Sequence, residues 1–361
     1  MALDATPLLG VRAGIGTYVH ELTRRLTERT EVTLVPFSLR GAAPPDDVPP
    51  GARWRRLPLP ARGLQWSWQR LGIPTARPLA GRVQVFHGTN FVTPPPGRIP
   101  TVVTVHDLAY LQRPEWVRAE TAALAPAVER SVRTSAVVLT PTHAVAAEVR
   151  DAFSLPAERV LATPLGVDRR WSATVPAGAD ELRALGLPPR FTLFVGTREP
   201  RKNLDLLLHA QRQARRRSAD VPPLVLVGGR GWGAEPEVDG RDTLIAGRLP
   251  YAALPRVVAA ATALCLPSHY EGFGLPVLEA LAAGTPVVAS DIPAHREVGG
   301  DVPALVPADD IDAWTEALMG VSAGQGTDRR AAGRARAAIY TWEACAEATV
   351  IAYQRAATRC P

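Results

Sequence analysis

Short runs that are apolar at nearly every position alternate with helix-like segments along this chain, and the alternation runs through twice. In the first half the runs are 32–37, 83–87, 101–106 and 136–140; in the second they are 191–196, 224–228, 243–245, 263–266 and 286–289. They are rich in Val and Leu and end in turn residues, as strands buried on both faces of a parallel sheet do. Helical patterns fall between them at 16–27, 119–133, 204–215 and 276–283. Repeated strand-then-helix order predicts an α/β fold with doubly wound sheets. At 361 residues the chain exceeds one unit of ~100–200 residues, so two are expected. The boundary is placed at 172–190, where a small, polar stretch leads to Pro188-Pro189. The domains are therefore read as 1–172 and 173–340, Rossmann-like and facing a central cleft, with a helix in 341–361 packing back on the first. The opening strand, within 2–7, is short.

Ligands of doubly wound sheets bind beyond the carboxyl ends of the strands, and the chain's distinctive residues follow its strands. The run His269–Glu279 (HYEGFGLPVLE) opens a helix after the strand at 263–266. Pro276 suits a first helical position, where no N–H is needed, and Gly284 suits the stop. Gly272, Phe273 and Gly274 precede the helix, and the N–H groups of Gly274, Leu275 and Val277 would face a diphosphate. Glu271 in the loop can accept bonds from sugar hydroxyls. Glu279, placed in the first turn, can grip ribose hydroxyls.

A second motif, Gly196–Asn203 (GTREPRKN), carries Arg198, Arg201 and Lys202 to the end of another strand. Three cations there suit a leaving diphosphate whose charge grows as a glycosidic bond breaks. Of 41 basic residues, Lys202 alone is lysine; a chain that otherwise uses Arg keeps a compact ammonium at one point, as beside a phosphate. The third motif, Ala13–Thr17, has Gly14 and Gly16 where backbone could approach a ligand, although it lacks the third glycine of a dinucleotide fingerprint. Fourth, His106-Asp107 ends the run 101–106; the imidazole could bond a sugar hydroxyl or carry a proton, with Asp107 fixing its tautomer.

Charge is uneven. Residues 1–172 hold 21 Arg against 14 acids, whereas 173–361 are nearly balanced. A basic first half fits an anionic membrane surface, a nucleic acid or a phosphorylated acceptor, or solvated arginines alone. Trp54, Trp66 and Trp68 interleave with Arg55, Arg56, Arg62 and Arg70, a pattern suited to lipid headgroups. Cys265, Cys345 and Cys360 share no ligand spacing and read as reduced thiols, hence a cytoplasmic protein, peripheral to the inner membrane face if the basic half docks there. No signal peptide and no spanning segment are expected. Asp310 and Asp312 have the spacing of a metal-binding pair but open a helix after Pro307, where caps are expected. His87 and His143 lack partners at metal spacing.

In this order and spacing the four motifs resemble the retaining GT-B-type glycosyltransferases of family 4, over nearly the whole chain. Glu271 and Glu279 match that family's pair of glutamates; Arg201-Lys202-Asn203, 228–233 and 289–301 also fit. The run 107–116 resembles the mannosyltransferase branch that builds surface polysaccharides and glycolipids. The resemblance implies a nucleotide-sugar donor, with GDP-mannose first and a UDP-sugar second. It implies an acceptor received by the N-terminal domain, no cofactor, no metal and no nucleic-acid partner. It assigns Glu271 and His106 to the sugar, Glu279 to the ribose, Lys202 and one of Arg198 and Arg201 to the diphosphate, and Gly16 to the phosphate or acceptor side. It also implies a front-face route in which the leaving phosphate takes the acceptor proton. Thr197 stands where many members carry Arg, which leaves Arg198 and Arg201 both open. A nucleotide-sugar epimerase of the same fold, or a UDP-sugar transferase acting on a small acceptor, is the alternative.

Overall fold

The computed structural model describes residues 1–10, 14–38, 41–233 and 235–358; Ala13 of the third motif and Cys360 lie outside these. The chain divides into two units. Unit 1 comprises Met1–Gln112, Ala119–Gly166 and Thr341–Pro361; unit 2 comprises Arg113–Arg118 and Val167–Tyr340. The change of unit at Gly166/Val167 precedes the polar stretch that marked it in the sequence. Asp168 accepts the Arg170 N–H and caps a short helix, Arg169–Ser172, that packs on a unit 2 helix.

Among the described residues the main sheet of unit 1 holds seven parallel strands: β1 (Ala2–Asp4), β2 (Val32–Val35), β3 (Ala52–Trp54), β4 (Phe86–Gly88), β5 (Thr101–Thr104), β6 (Val137–Thr140) and β7 (Val160–Ala162). Their order across the sheet is β3-β2-β1-β4-β5-β6-β7. Unit 2 holds β8 (Thr192–Val195), β9 (Leu224–Val227), β10 (Thr243–Gly247), β11 (Ala263–Leu266), β12 (Val287–Ser290) and β13 (Ala304–Val306), ordered β10-β9-β8-β11-β12-β13. In each sheet the first strand is followed on one side by the second and third and on the other by the fourth. Neighbouring loops then leave in opposite directions, opening a crevice beyond β1 and β4 in one unit and beyond β8 and β11 in the other.

The central strands β5, β6, β9, β11 and β12 are buried at every position, which is why they read as continuous apolar runs. Strands β3, β7 and β13 escaped the sequence reading because they are three-residue edge strands, partly exposed. The helix expected at 119–133 is two, Ala119–Ala122 and Ala125–Thr134: Pro126, in the first turn of the second, lacks an N–H and restricts the residue before it. The helices needed below are α1 (Gly14–Thr27), α2 (Ala61–Arg70), α3 (Leu204–Arg217), α4 (Leu275–Ala283), α5 (Pro293–Gly299) and α6 (Trp342–Thr358). Helix α6 packs against α1, and Tyr353 bonds His87 Nδ1 at 2.7 Å in the unit 1 interior.

Candidate functional site

The loops after β8 and β11 meet at the crevice of unit 2. A backbone bond from His269 N–H to Arg201 O (2.9 Å) locks the two motifs together. At their junction Glu271, 7% exposed, accepts from Lys202 Nζ at 2.5 Å and Ser268 Oγ at 2.7 Å on one oxygen. Arg201 Nη1 donates to the other at 3.0 Å. Burial by itself would raise this carboxyl; the Lys202 and Arg201 charges outweigh it and hold Glu271 down at about 2. Arg201 also pairs through Nε with Glu199, whose carboxyl burial raises against the pull of Arg201 and Lys202. The cluster is thus two acids with two bases, rather than the uncompensated cations that the sequence suggested. Neither Glu199 nor Ser268 was marked in the sequence, for a single Glu or Ser beside a turn carries no signal of its own.

Arg198 goes elsewhere. Its guanidinium donates to Gly228 O (3.1 Å) and pairs with Glu235 (3.2 Å), and its backbone bridges to Arg230. It clamps the loop after β9 to the loop after β8. Gly228 makes that approach possible, since a side chain there would overlap the Gly196 carbonyl. Of the three cations in the motif, Arg201 and Lys202 converge on Glu271 and Arg198 does not.

Helix α4 starts one residue before the position expected, with Gly274 as its cap at φ +91° and Pro276 second in the helix. Val277 N–H is spent on Gly274 O at 2.9 Å, so it is not available to a ligand as expected; the N–H groups of Gly274 and Leu275 have no partner among the described residues. These two N–H groups and the helix dipole leave a site for an anion. Phe273 turns its ring inward against Tyr340 (5.9 Å), which leaves its backbone for contact. Gly272 is buried beside it.

Glu279 falls in the second turn of α4 rather than the first, a consequence of the earlier start. Its side chain keeps part of its surface open, yet desolvation pushes its carboxyl up to about 8, with Arg170 opposing. His295 of α5 is a further member of this site. Fully buried, it donates through Nδ1 to Ser290 O at 2.9 Å, and its ring lies where a Gly274 side chain would be. Nothing in the local sequence announced it, because α5 reaches the site through the sheet order.

Trp116, in the segment Arg113–Arg118, stacks on His269 with rings 5.5 Å apart and nearly parallel, and Arg118 lies over Trp232 at 5.2 Å. The family-like run 107–116 therefore ends against the Glu271 loop, within the same unit.

In unit 1, His106 is 8% exposed and its Nε2–H donates to Thr89 O at 2.8 Å. This bond sets the tautomer. Asp107 instead accepts from Ala109 N–H at 3.1 Å. Burial lowers the imidazole's proton affinity, which leaves a neutral ring with Nδ1 as acceptor. Gly14 is exposed and Gly16 buried, both inside the first turn of α1 rather than in a loop before it. Asp310 accepts from Ala313 N–H at 2.9 Å as a helix cap.

Two sheets wound in one order, with a base-paired carboxylate and a helix N-terminus at the crevice of the second, make a site suited to a ligand that carries both hydroxyls and an anionic group. Comparison with known proteins specifies the family. The description "Glycosyltransferase Family 4" matches residues 12–171, and "Glycosyl transferases group 1" matches 183–338. The chain is 30% identical to O-antigen chain mannosyltransferase B of Escherichia coli, over 94% of this chain and 96% of that one. It is also 30% identical to a D-inositol 3-phosphate glycosyltransferase of Xylanimonas cellulosilytica, over 98% and 94%. Among solved structures, sucrose-phosphate synthase from Thermosynechococcus elongatus superposes with TM-score 0.76 at 21% identity, covering 98% of both chains. The chain belongs to glycosyltransferase family 4 and is a hexosyltransferase.

Proposed function

We propose that the chain transfers mannose from GDP-mannose to a hydroxyl acceptor, with retention and without a metal. Unit 2 holds the donor and unit 1 receives the acceptor. The observation that carries this reading is the Glu271 cluster beside the open N-terminus of α4. A carboxylate that accepts from Lys202, Arg201 and Ser268 is a weak nucleophile but a firm hydroxyl acceptor. That favours a route in which the leaving phosphate takes the acceptor proton, and positioning plus electrostatics do the work. Arg201, Lys202 and the helix N-terminus supply charge for the diphosphate, and Glu271 holds the sugar; in unit 1, His106 Nδ1 offers an acceptor to a hydroxyl. Mannose is supported by the mannosyltransferase among the relatives that match nearly end to end. Purified protein incubated with GDP-mannose, a chelator and a mannoside acceptor should release GDP and lengthen the acceptor. Conversion of the donor sugar in the absence of acceptor would mean an epimerase, and loss of activity restored by a divalent ion would overturn the metal-free route.

Glu279 is proposed to bind the ribose as a carboxylate. Burial pushes its carboxyl up to about 8, so it is largely protonated at neutral pH and binding as a carboxylate releases a proton. Affinity for guanosine should therefore rise between pH 6 and 8, by up to ~10-fold per pH unit, and level above that. Titration calorimetry of Glu279→Gln should show weaker, pH-independent binding; an unchanged slope would remove Glu279 from the ribose.

The basic half of the chain supports a peripheral membrane contact for a lipid-linked acceptor. Among the described residues no helix is long and apolar enough to cross a membrane. Trp54 and Trp68 are tied down, donating to Ala42 O and Pro74 O, and are not available to lipid. Trp66 is 59% exposed, with Leu71 at 60% and Ile73 at 56% beside it in sequence at the end of α2. Between Asp47 and Asp107 the chain has eight Arg and no acid. Indole in the headgroup zone and guanidinium on lipid phosphate fit that combination. The protein should co-sediment with vesicles containing anionic lipid, less so as salt rises. Replacing Trp66, Arg62 and Arg70 by Ser should reduce binding with little change in melting temperature; no sedimentation of the parent at low salt would end the idea.

A further inference from the structure

The two sheets share one winding order, so unit 1 has a crevice of the same kind as the one that holds the Glu271 cluster. It lies beyond β1 and β4, where Asp4 ends one strand and Thr89, Asn90 and Phe91 follow the other. Thr89 Oγ donates to Asp4 O at 2.7 Å and ties the two loops. Phe91 N–H donates to Thr104 O at 2.9 Å, and Val92 N–H to Asn90 O at 2.7 Å. The second bond closes a three-residue turn with Phe91 at φ +62°, a left-handed conformation that an aromatic side chain rarely holds.

Such backbone persists where its surroundings over-determine it, and it collects at ligand sites. Here the turn leaves the Phe91 ring half-buried, edge-to-face with His106 (5.5 Å) and Tyr110 (6.0 Å). It also encloses the side-chain oxygen of Asn90 with no donor among the described residues. An acceptor atom held away from water without a donor is costly until a ligand hydroxyl or amide supplies one. The Asp4 carboxyl, 7% exposed and pushed up to about 6 by burial, is taken up by the N–H and hydroxyl of Thr6 rather than by this turn. A phosphate placed against Asn90 Oδ1 would meet a lone pair that has no proton to donate, whereas a sugar hydroxyl would supply one.

We propose that this turn seats the acceptor as an uncharged pyranose, with a ring hydroxyl donating to Asn90 Oδ1 and the C–H face of the sugar on the Phe91 ring. The proposal rests on unit 1 receiving the acceptor, and it names the acceptor's chemistry: a neutral sugar ring rather than a phosphorylated polyol. Asn90 and Phe91 would then set acceptor affinity without touching the donor.

The test uses the full chain, GDP-mannose as donor and octyl α-D-mannopyranoside as acceptor probe. Saturation-transfer NMR of the parent should label the pyranose protons. Phe91→Gly and Asn90→Ala should each raise the acceptor KM by about 10-fold or more, the loss of one good contact, while GDP affinity and slow hydrolysis of donor alone stay at parental values. Phe91→Tyr should keep the parental KM. Phe91→Gly suits the left-handed backbone, so its fold should persist, and Asn90→Ala leaves the turn's backbone bonds in place. The proposal is overturned if the pyranose protons receive no saturation, if KM stays within about twofold of the parent in both variants, or if myo-inositol 1-phosphate displaces the mannoside at lower concentration than methyl mannoside does. Failure of the parent to bind GDP would instead strike the donor reading, so the two failures are distinguishable.

Discussion

Glu271→Gln is expected to lower turnover by ~10²-fold or more while the protein still binds GDP. The amide keeps the shape of the side chain but removes the charge that accepts from Lys202 and Arg201. A sugar hydroxyl loses its strongest acceptor as positive charge develops at the anomeric carbon. Stability should also fall, since Lys202 is buried and loses its counter-charge; breaking buried pairs costs about 3–5 kcal/mol. GDP then supplies the missing negative charge, so it should raise the variant's melting temperature by more than it raises the parent's. Stopped assays and thermal melts with and without GDP check both halves. Near-normal turnover would remove Glu271 from the sugar, and an equal thermal shift in both proteins would remove the Lys202–Arg201 pair from the diphosphate.

The second large effect belongs to Lys202→Ala. Affinity for GDP should fall roughly 10–100-fold, the worth of a charge-assisted bond, with guanosine affinity unchanged. The same substitution takes away the larger of the charges that hold Glu271 down, so that carboxyl should climb from about 2 toward the ordinary range. Transfer should then fail at mildly acidic pH, where the parent's Glu271 is still ionised. Lys202→Arg should not restore the parent, because a planar guanidinium does not fit a site where the ammonium is 7% exposed and bonded at 2.5 Å. Calorimetry with GDP and guanosine, and a rate profile from pH 5 to 8, decide it. Equal weakening of both ligands would place Lys202 in a structural role.

Much of this was legible in the amino-acid order because the physics involved is local. Buried parallel strands such as 224–227 and 263–266 must be apolar throughout, and loops that follow them must change backbone direction, so Gly, Pro and charge gather there. The spacing of Glu271 and Glu279 and the solitary Lys202 survive as marks in one dimension. The three-residue edge strands and the start of α4 did not, since partial exposure and a one-residue shift leave the pattern almost unaltered.

What the tertiary structure decided is which of the marked residues meet. Arg198 and Arg201 stand three apart in one motif, and nothing in their order says that Arg201 turns to Glu271 while Arg198 clamps the loop at Gly228 and Glu235. Trp54, Trp66 and Trp68 look alike in sequence, yet two are tied to backbone carbonyls and one is open. Glu199, His295 and the strained Phe91 turn became visible once the strands were set side by side, because a crevice is a property of sheet order. The sequence by itself determined the repeated winding and the chemistry available at each strand's end. Charge pairing, tautomer and burial act across distances that only folding makes short, and there the structure alone assigns each group its partner.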